Sequence, residues 1–424
     1  MEGRKRWLLV LLLFVGGSIS YLDRAALSIA APLIARDLHL DAAGLGIIFS
    51  SFFIGYAPLC FVGGYLADRV GPKKVLIASM LIWSLFCGLT ATASSLLALV
   101  ALRIVFGMGE GPFVANINKV VSNWFSRRQQ ATAIAIANAG MPLGAALAGP
   151  VVGFLAVSAG WQKSFVVIAA FGVVWVLVWA YFAQDKPGES AVARDEHAVI
   201  DVDSDVSPEM SATPLSHYLL LPSTLATAFA FFGYAYVQFF FLTWFPSYLT
   251  MAHGLPIKTM AVATVIPWIG NVSGLIIGGV VSDALFRRTG RAVWARKMVL
   301  TTSLSMGAIC VALTGTVSGA AGAVALMSAG AFFMATTYNT YFAIVLDTVE
   351  KHRVGAIGGF VHFISNLAGI VAPLLTGFLV KWSGNFHAAF MLPGAVAIAG
   401  ALLVAIFVRA PHANAAGFPR EIRA

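Results

Sequence analysis

Apolar residues in this chain gather in long unbroken runs, not in the alternating or one-faced patterns of soluble domains. Six runs occupy positions 7–34, 45–66, 75–92, 96–121, 131–155 and 165–182. Six more occupy 224–250, 260–285, 297–315, 319–346, 356–382 and 386–408. A helix needs about 20 apolar residues to cross a bilayer's hydrocarbon core. The pattern therefore predicts an all-α membrane protein with 12 transmembrane helices. One segment interrupts it: between Gln184 and Ser216 the chain is polar and acidic, with eight carboxylates against Lys186 and Arg194. Low hydrophobicity and self-repelling charge cannot support a packed core, so this stretch reads as a tether. It divides the spans six and six.

Composition sharpens the class. The chain is 59% hydrophobic and 11% charged, where an ordinary soluble domain is about 45–50% apolar and about 25% charged. Arg4, Lys5 and Arg6 before the first run would also suit a secretory signal, but cleavage there would discard or strand Asp23 and Arg24. The formal charge of +9 would suggest nucleic acid if it were clustered on one soluble surface. Its placement indicates topology instead. With a cytoplasmic amino terminus, the inner loops hold Arg4, Lys5, Arg6, Arg69, Lys73, Lys74, Arg127, Arg128, Arg287, Arg288, Arg291, Arg296, Lys297, Lys351 and Arg353. The outer loops hold Arg36, Lys163, Lys258 and Lys381. That positive-inside bias places both termini in the cytoplasm. Cys60, Cys87 and Cys310 all fall within runs, so no disulfide framework is expected.

The halves look like repeats. Gly64-Tyr-Leu-Ala-Asp68-Arg69-Val-Gly71-Pro-Lys73-Lys74 follows the second run; Gly279-Val-Val-Ser-Asp283, then Arg287, Arg288, Gly290 and Arg291, follows the eighth. Two parallel six-helix halves are a known transporter design, with substrate near the midplane. The expected organisation is two pseudo-symmetric bundles, 1–183 and 217–410, with an acidic cytoplasmic linker at 184–216 and a cytoplasmic tail at 411–424.

The first of these loops resembles the signature of the major facilitator superfamily, G-x-x-x-D-[RK]-x-G-x-[RK]-[RK], and implies a gate role for Asp68. Narrower features resemble its anion:cation symporter family, which includes bacterial sugar-acid/proton symporters and vesicular organic-anion carriers. They are Tyr21-Leu-Asp23-Arg24-Ala-Ala-Leu27-Ser28, Arg103-Ile-Val-Phe-Gly107-Met-Gly-Glu110-Gly111 with Asn123-Trp124-Phe125, and Asn366-Leu-Ala-Gly369 with Pro373 and Gly377. The resemblance covers nearly the whole chain. It implies the major facilitator fold and raises Asn366, Gln238, Tyr21 and Tyr56 as substrate contacts. The chain departs from the family at Met141, where sugar-acid carriers can present Gln, at Val361-His362-Phe363 in place of F-N-F, and at Ala115 in place of Pro.

Four ionisable groups lie deep in apolar runs: Asp23, Arg24, Arg103 and Glu110. Each would cost about 2.5–3.5 kcal/mol at a helix centre, so together they approach roughly 10 kcal/mol, and such charges by default face water or one another for a function. Arg103 and Glu110 are seven apart and share a helix face about 10 Å apart along the axis. Adjacent Asp23 and Arg24 point to different sides. Arg pairs a carboxylate bidentately, so Arg24 or Arg103, or both in sequence, are expected to bind a substrate anion. An acid that moves between apolar and cationic surroundings can load and release a proton, and Asp23 and Glu110 are assigned that coupling. The second half supplies neutral polar groups: Tyr234, Gln238 and Phe241 on one face, Thr337, Tyr338 and Tyr341, and His362, Ser365 and Asn366. Lys119 is a second gate candidate.

The expected function is import of a small organic anion, a sugar acid or other carboxylate, by proton symport through alternating access in the bacterial inner membrane. A monomer is the expected working unit, with membrane lipid around it. Two other readings remain at this level. Gly149-Pro150-Val-Val-Gly153 resembles a motif of drug antiporters and would suit proton-driven export of lipophilic compounds. A non-transporting sensor is the other. No metal-ligand spacing, phosphate loop, nucleic-acid signature or nucleophile motif points to an enzyme, and no cofactor is expected.

Overall fold

A computed structural model describes residues 2–185, 214–350 and 353–409. Among these the structure is helical, and twelve helical stretches are long and apolar enough to cross a membrane. Lys351, the tail at 411–424 and nearly all of the expected linker lie outside the described residues.

The first half comprises α1 (Glu2–Asp37), α2 (Ala42–Val70), α3 (Pro72–Leu89), α4 (Leu96–Glu110), α5 (Phe113–Trp124), α6 (Arg127–Asn138), α7 (Gly140–Ala159) and α8 (Trp161–Phe182). The second comprises α9 (Leu215–Leu219), α10 (Pro222–Met251), α11 (Ile257–Ala263), α12 (Val265–Thr289), α13 (Ala292–Thr314), α14 (Ala320–Thr348), α15 (Val354–Ser383) and α16 (His387–Phe407). Three spans that hydropathy reads as continuous are built of two helices: α4 with α5, α6 with α7, and α11 with α12. Each break lies just before a proline, at Pro112, Pro142 or Pro267. Proline withdraws an N–H from the ladder and crowds the preceding turn. Pro32, Pro58, Pro150, Pro246, Pro373 and Pro393 sit inside unbroken helices, which neighbouring helices make tolerable in membranes.

Large apolar side chains face outward all along the spans. Leu97, Leu177, Ile276 and Leu402 are exposed, as expected for helices solvated by hydrocarbon. Between helices, small residues allow backbones to approach. On α4, a Cβ at Gly107 would lie 2.1 Å from the Phe52 carbonyl oxygen of α2. On α12, Cβ atoms at Gly274 and Gly278 would lie 2.1 and 2.3 Å from the carbonyls of Phe332 and Thr336 of α14. The second and fourth spans thus pack as the eighth and tenth do, the same relation in each half.

The chain divides into two compact units, Met1–Ile34 with Ser51–Ala212, and Ala35–Ser50 with Thr213–Ala424. The start of α2 therefore packs in the second unit. There Asp41 pairs with Lys381 at 2.8 Å, and a Cβ at Gly377 would meet the Ala42 carbonyl at 2.5 Å. Ser50 donates to the Ile370 carbonyl at 2.7 Å.

The signature loop is held by an unexpected partner. Gly71 turns at φ 90°, a conformation that favours glycine. The Lys73 N–H in the first turn of α3 donates to Asp185 Oδ1 at 2.7 Å. Asn123 Nδ2 donates to the Asp185 carbonyl at 2.9 Å and Trp124 Nε1 to that of Gln184 at 3.0 Å. The Asn-Trp pair thus grips the residues that follow α8, and Asp185 satisfies a free amide at a helix start.

Candidate functional site

The four buried charges belong to the first unit and converge from α1 and α4. Asp23, Arg24, Arg103 and Glu110 are 1%, 8%, 2% and 1% exposed. Ser20 and Arg24 are four residues apart, so they share one face of α1, and both reach Glu110. The Ser20 hydroxyl donates to Glu110 Oε1 at 2.6 Å, and the Arg24 guanidinium donates to the same oxygen in a buried ion pair. Three aromatic rings surround that guanidinium, with centroids 4.8 Å away at Tyr21, 4.7 Å at Phe52 and 4.7 Å at Tyr56. Ring faces attract a desolvated cation by up to about 2 kcal/mol each. They hold the charge without using its N–H groups, and Nε of Arg24 has no hydrogen-bond partner.

Asp23 points elsewhere, as adjacency to Arg24 requires. It lies beside α3, where the Cys87 sulfur is 3.7 Å from Oδ1. Its Oδ2 has no hydrogen-bond partner. Arg103 lies 4.6 Å from the Phe106 ring centroid and 5.8 Å from that of Phe52. The close approach at Gly107 brings α4 against the Phe52 turn of α2 and so permits the latter contact. Nε and one terminal nitrogen of Arg103 lack hydrogen-bond partners. One arginine is thus neutralised by a carboxylate, and the other keeps unused donors. A buried guanidinium paired with one carboxylate, beside a second guanidinium with donors to spare, is chemically suited to receive an anion.

The other expected residues fall into three groups. Tyr21 and Tyr56 join the charged cluster as Arg24's ring partners. Asp68 and Lys119 form an ion pair of 2.6 Å at the signature-loop end of the first unit. In the second unit the acid of the repeat pairs with the next span instead, Arg296 of α13 lying 2.7 Å from Asp283 and donating to Ser282 at 2.7 Å. Gln238 and Asn366 belong to the second unit. Gln238 accepts from Asn271 Nδ2 at 3.2 Å, while Asn366 Nδ2 donates to the His362 carbonyl one turn back, at 2.9 Å.

Around them, Phe231 stacks on Tyr341 at 4.5 Å and approaches Tyr338 and His362 at 5.9 Å each. Phe241 packs on Trp268 at 5.0 Å. Met141 lies beside Gly17 of α1, with its Cγ 3.4 Å from where a Cβ at Gly17 would lie. Sequence reasoning did not single out Ser20, Phe52, Cys87 or Asn271 as parts of these clusters. Only Ser20 carries a sequence signal, its spacing of four from Arg24.

Twelve membrane-length helices with four ionisable side chains buried in one half have the form of a secondary transporter. The Major Facilitator Superfamily model matches residues 13–373 and 294–423, and the chain belongs to that superfamily. It is 46% identical to the hexuronate transporter of Bacillus subtilis (strain 168) over 414 residues, 97% of each chain. It is 34% identical to a probable sulfoacetate transporter of Cupriavidus necator, covering 91% of this chain and 89% of the relative. Among solved structures it is similar to an inward-facing bacterial homolog of the human lysosomal transporter Spinster, with TM-score 0.75 at 16% identity, covering 95% of each chain. That likeness supports the fold.

Proposed function

We propose that this protein imports a sugar acid of the hexuronate class together with protons. The observation that carries the reading is the buried Arg24–Glu110 ion pair. An organic anion and the Glu110 carboxylate compete for one guanidinium. Protonating Glu110 removes its charge and releases Arg24, which then takes the substrate carboxylate. Proton and anion therefore bind together and leave together, which is symport. Arg103, with donors to spare, takes the second contact, and Asp23 is the second proton carrier. Gln238 and Asn366 are assigned the neutral hydrogen bonds that a polyhydroxylated anion needs. Asp68 and Lys119 are assigned to a gate.

The substrate class follows the relatives. The hexuronate transporter matches almost end to end, and the other named substrate, sulfoacetate, is also a small organic acid. The positive-inside bias favours a bacterial cytoplasmic membrane with both termini inside, and a single copy suffices for the mechanism. The test is uptake into liposomes holding the purified protein under an inward proton gradient, with radiolabelled D-glucuronate, D-glucarate, sulfoacetate and short carboxylates. Glucuronate should accumulate, and Glu110→Gln should abolish accumulation while counterflow exchange survives. Movement of lipophilic cations with no uptake of any acid would replace the symporter reading with export.

A further inference from the structure

The mechanism above leaves unused a thiol that touches one of its acids. Cys87 on α3 is fully buried. Its sulfur lies between two acceptors, 3.7 Å from Asp23 Oδ1 and 3.8 Å from the Phe165 carbonyl oxygen of α8. A thiol has one hydrogen, so it can satisfy one of these at a time. Asp23 is 1% exposed, and its other oxygen has no partner. The Cys87 thiol is thus a hydrogen-bond donor to this carboxylate, and the indole N–H of Trp83, also on α3, is the other side-chain donor that faces it. The remaining charged or titratable groups that face Asp23 are Arg103 and Glu110 of α4. Arg24 is turned to Glu110 and the rings of Tyr21, Phe52 and Tyr56, and α8 contributes only the backbone of Phe165 and neutral side chains here.

We propose that Cys87 is a positioning residue for the proton on Asp23, its S–H turning between the Asp23 carboxylate and the Phe165 carbonyl as Asp23 loses and gains that proton. While Asp23 is ionised, the thiol donates to Oδ1 and stabilises the charge. When Asp23 is protonated, the charge is gone, and the thiol returns to the Phe165 carbonyl. The thiol keeps its own hydrogen throughout; the proton that moves is the one on Asp23. A hydrogen bond to the charged form lowers an acid's proton affinity, so this contact adjusts where Asp23 titrates within the setting made by burial, Glu110 and Arg103. It also links that event to α8, an element without buried charge. The inference rests on Asp23 being a proton carrier, as proposed above.

The experiment is infrared difference spectroscopy of the full-length protein in lipid during a pH titration, with the Asp23 carboxyl band assigned by its loss in Asp23→Asn. In the wild type, the S–H stretching band should shift across the Asp23 midpoint. Cys87→Ala removes a donor to the charged form and should raise the midpoint. Cys87→Ser supplies a stronger donor and should bring the midpoint back to the wild-type value or below it. A rise with Ala that Ser does not show cannot come from general loosening, and the wild-type S–H band needs no variant to fold. A titrating Asp23 whose midpoint ignores both substitutions, or an S–H band flat through its titration, overturns the role of Cys87 alone. An Asp23 band that never titrates overturns its assignment as a proton carrier, and this inference with it.

Discussion

Replacing Glu110 by Gln should make the resting protein less stable and its substrate a stronger stabiliser. The substitution keeps the shape and the acceptor oxygen that Ser20 uses at 2.6 Å, but removes the charge that compensates Arg24. Breaking a buried pair by deleting one partner costs about 3–5 kcal/mol, because a buried ion is left uncompensated. Here the three rings around Arg24 offset part of that cost, so the lower end, about 3 kcal/mol, is expected. A carboxylate substrate restores an anion to Arg24. Saturation at 100 times Kd returns about 2.7 kcal/mol, nearly the whole loss. The assay is thermal unfolding in detergent with and without D-glucuronate, run on the wild type, Glu110→Gln and Glu110→Gln/Arg24→Met. The single variant should melt several degrees lower and recover with substrate. The double variant, with no orphan charge, should melt closer to the wild type and gain little from glucuronate. Additive losses in the double variant, or a single variant as stable as the wild type, would refute the pairing as the centre of the site.

Four further outcomes follow from the geometry. Gly107→Val places side-chain atoms against the Phe52 carbonyl, which even a bare Cβ would meet at 2.1 Å; yield in size-exclusion chromatography and glucuronate binding should both collapse. Gly64→Ala, whose Cβ would lie 3.8 Å from the nearest atom, should behave as the wild type. Lys119→Met removes the partner of a partly exposed pair and should change stability by less than about 1 kcal/mol, while uptake falls; a large drop in melting temperature would make the pair a fold element, not a gate. Asp41 is held below the usual carboxylate range by hydrogen bonds from Lys381 and the Gly44 N–H. A lowered folded value means that its contribution is present above about pH 4, the free carboxylate value, and is lost only as pH falls through the folded value. Asp41→Asn should therefore leave the midpoint of pH-dependent uptake between pH 5 and 8 unmoved, and a shifted midpoint would make Asp41 part of the coupling.

The spans were legible because lipid imposes one rule on every residue of a long run, and composition alone reports it. The four charges were legible for the converse reason: their cost in hydrocarbon is too high to be incidental. Their pairing was not. Spacing says that Asp23 and Arg24 diverge, but not that Arg24 meets Glu110 or that Asp23 meets a thiol on α3, since both contacts depend on how helices distant in sequence pack. The prolines make the same point locally. Pro112, Pro142 and Pro267 follow breaks while Pro373 sits in an unbroken α15, and one residue type gives two outcomes because the surroundings decide whether the freed carbonyl finds a donor. Asp185 is the sharpest case. In the sequence it is the first of several acids in a polar tether, chemically indistinguishable from the rest. In the fold it lies one residue beyond the Gln184 carbonyl that Trp124 binds, and its carboxylate meets the amide of Lys73 in the signature loop. A motif whose residues looked like topology and packing therefore has a structural receptor in Asp185, and the Asn123-Trp124 pair holds that receptor in place through two backbone carbonyls.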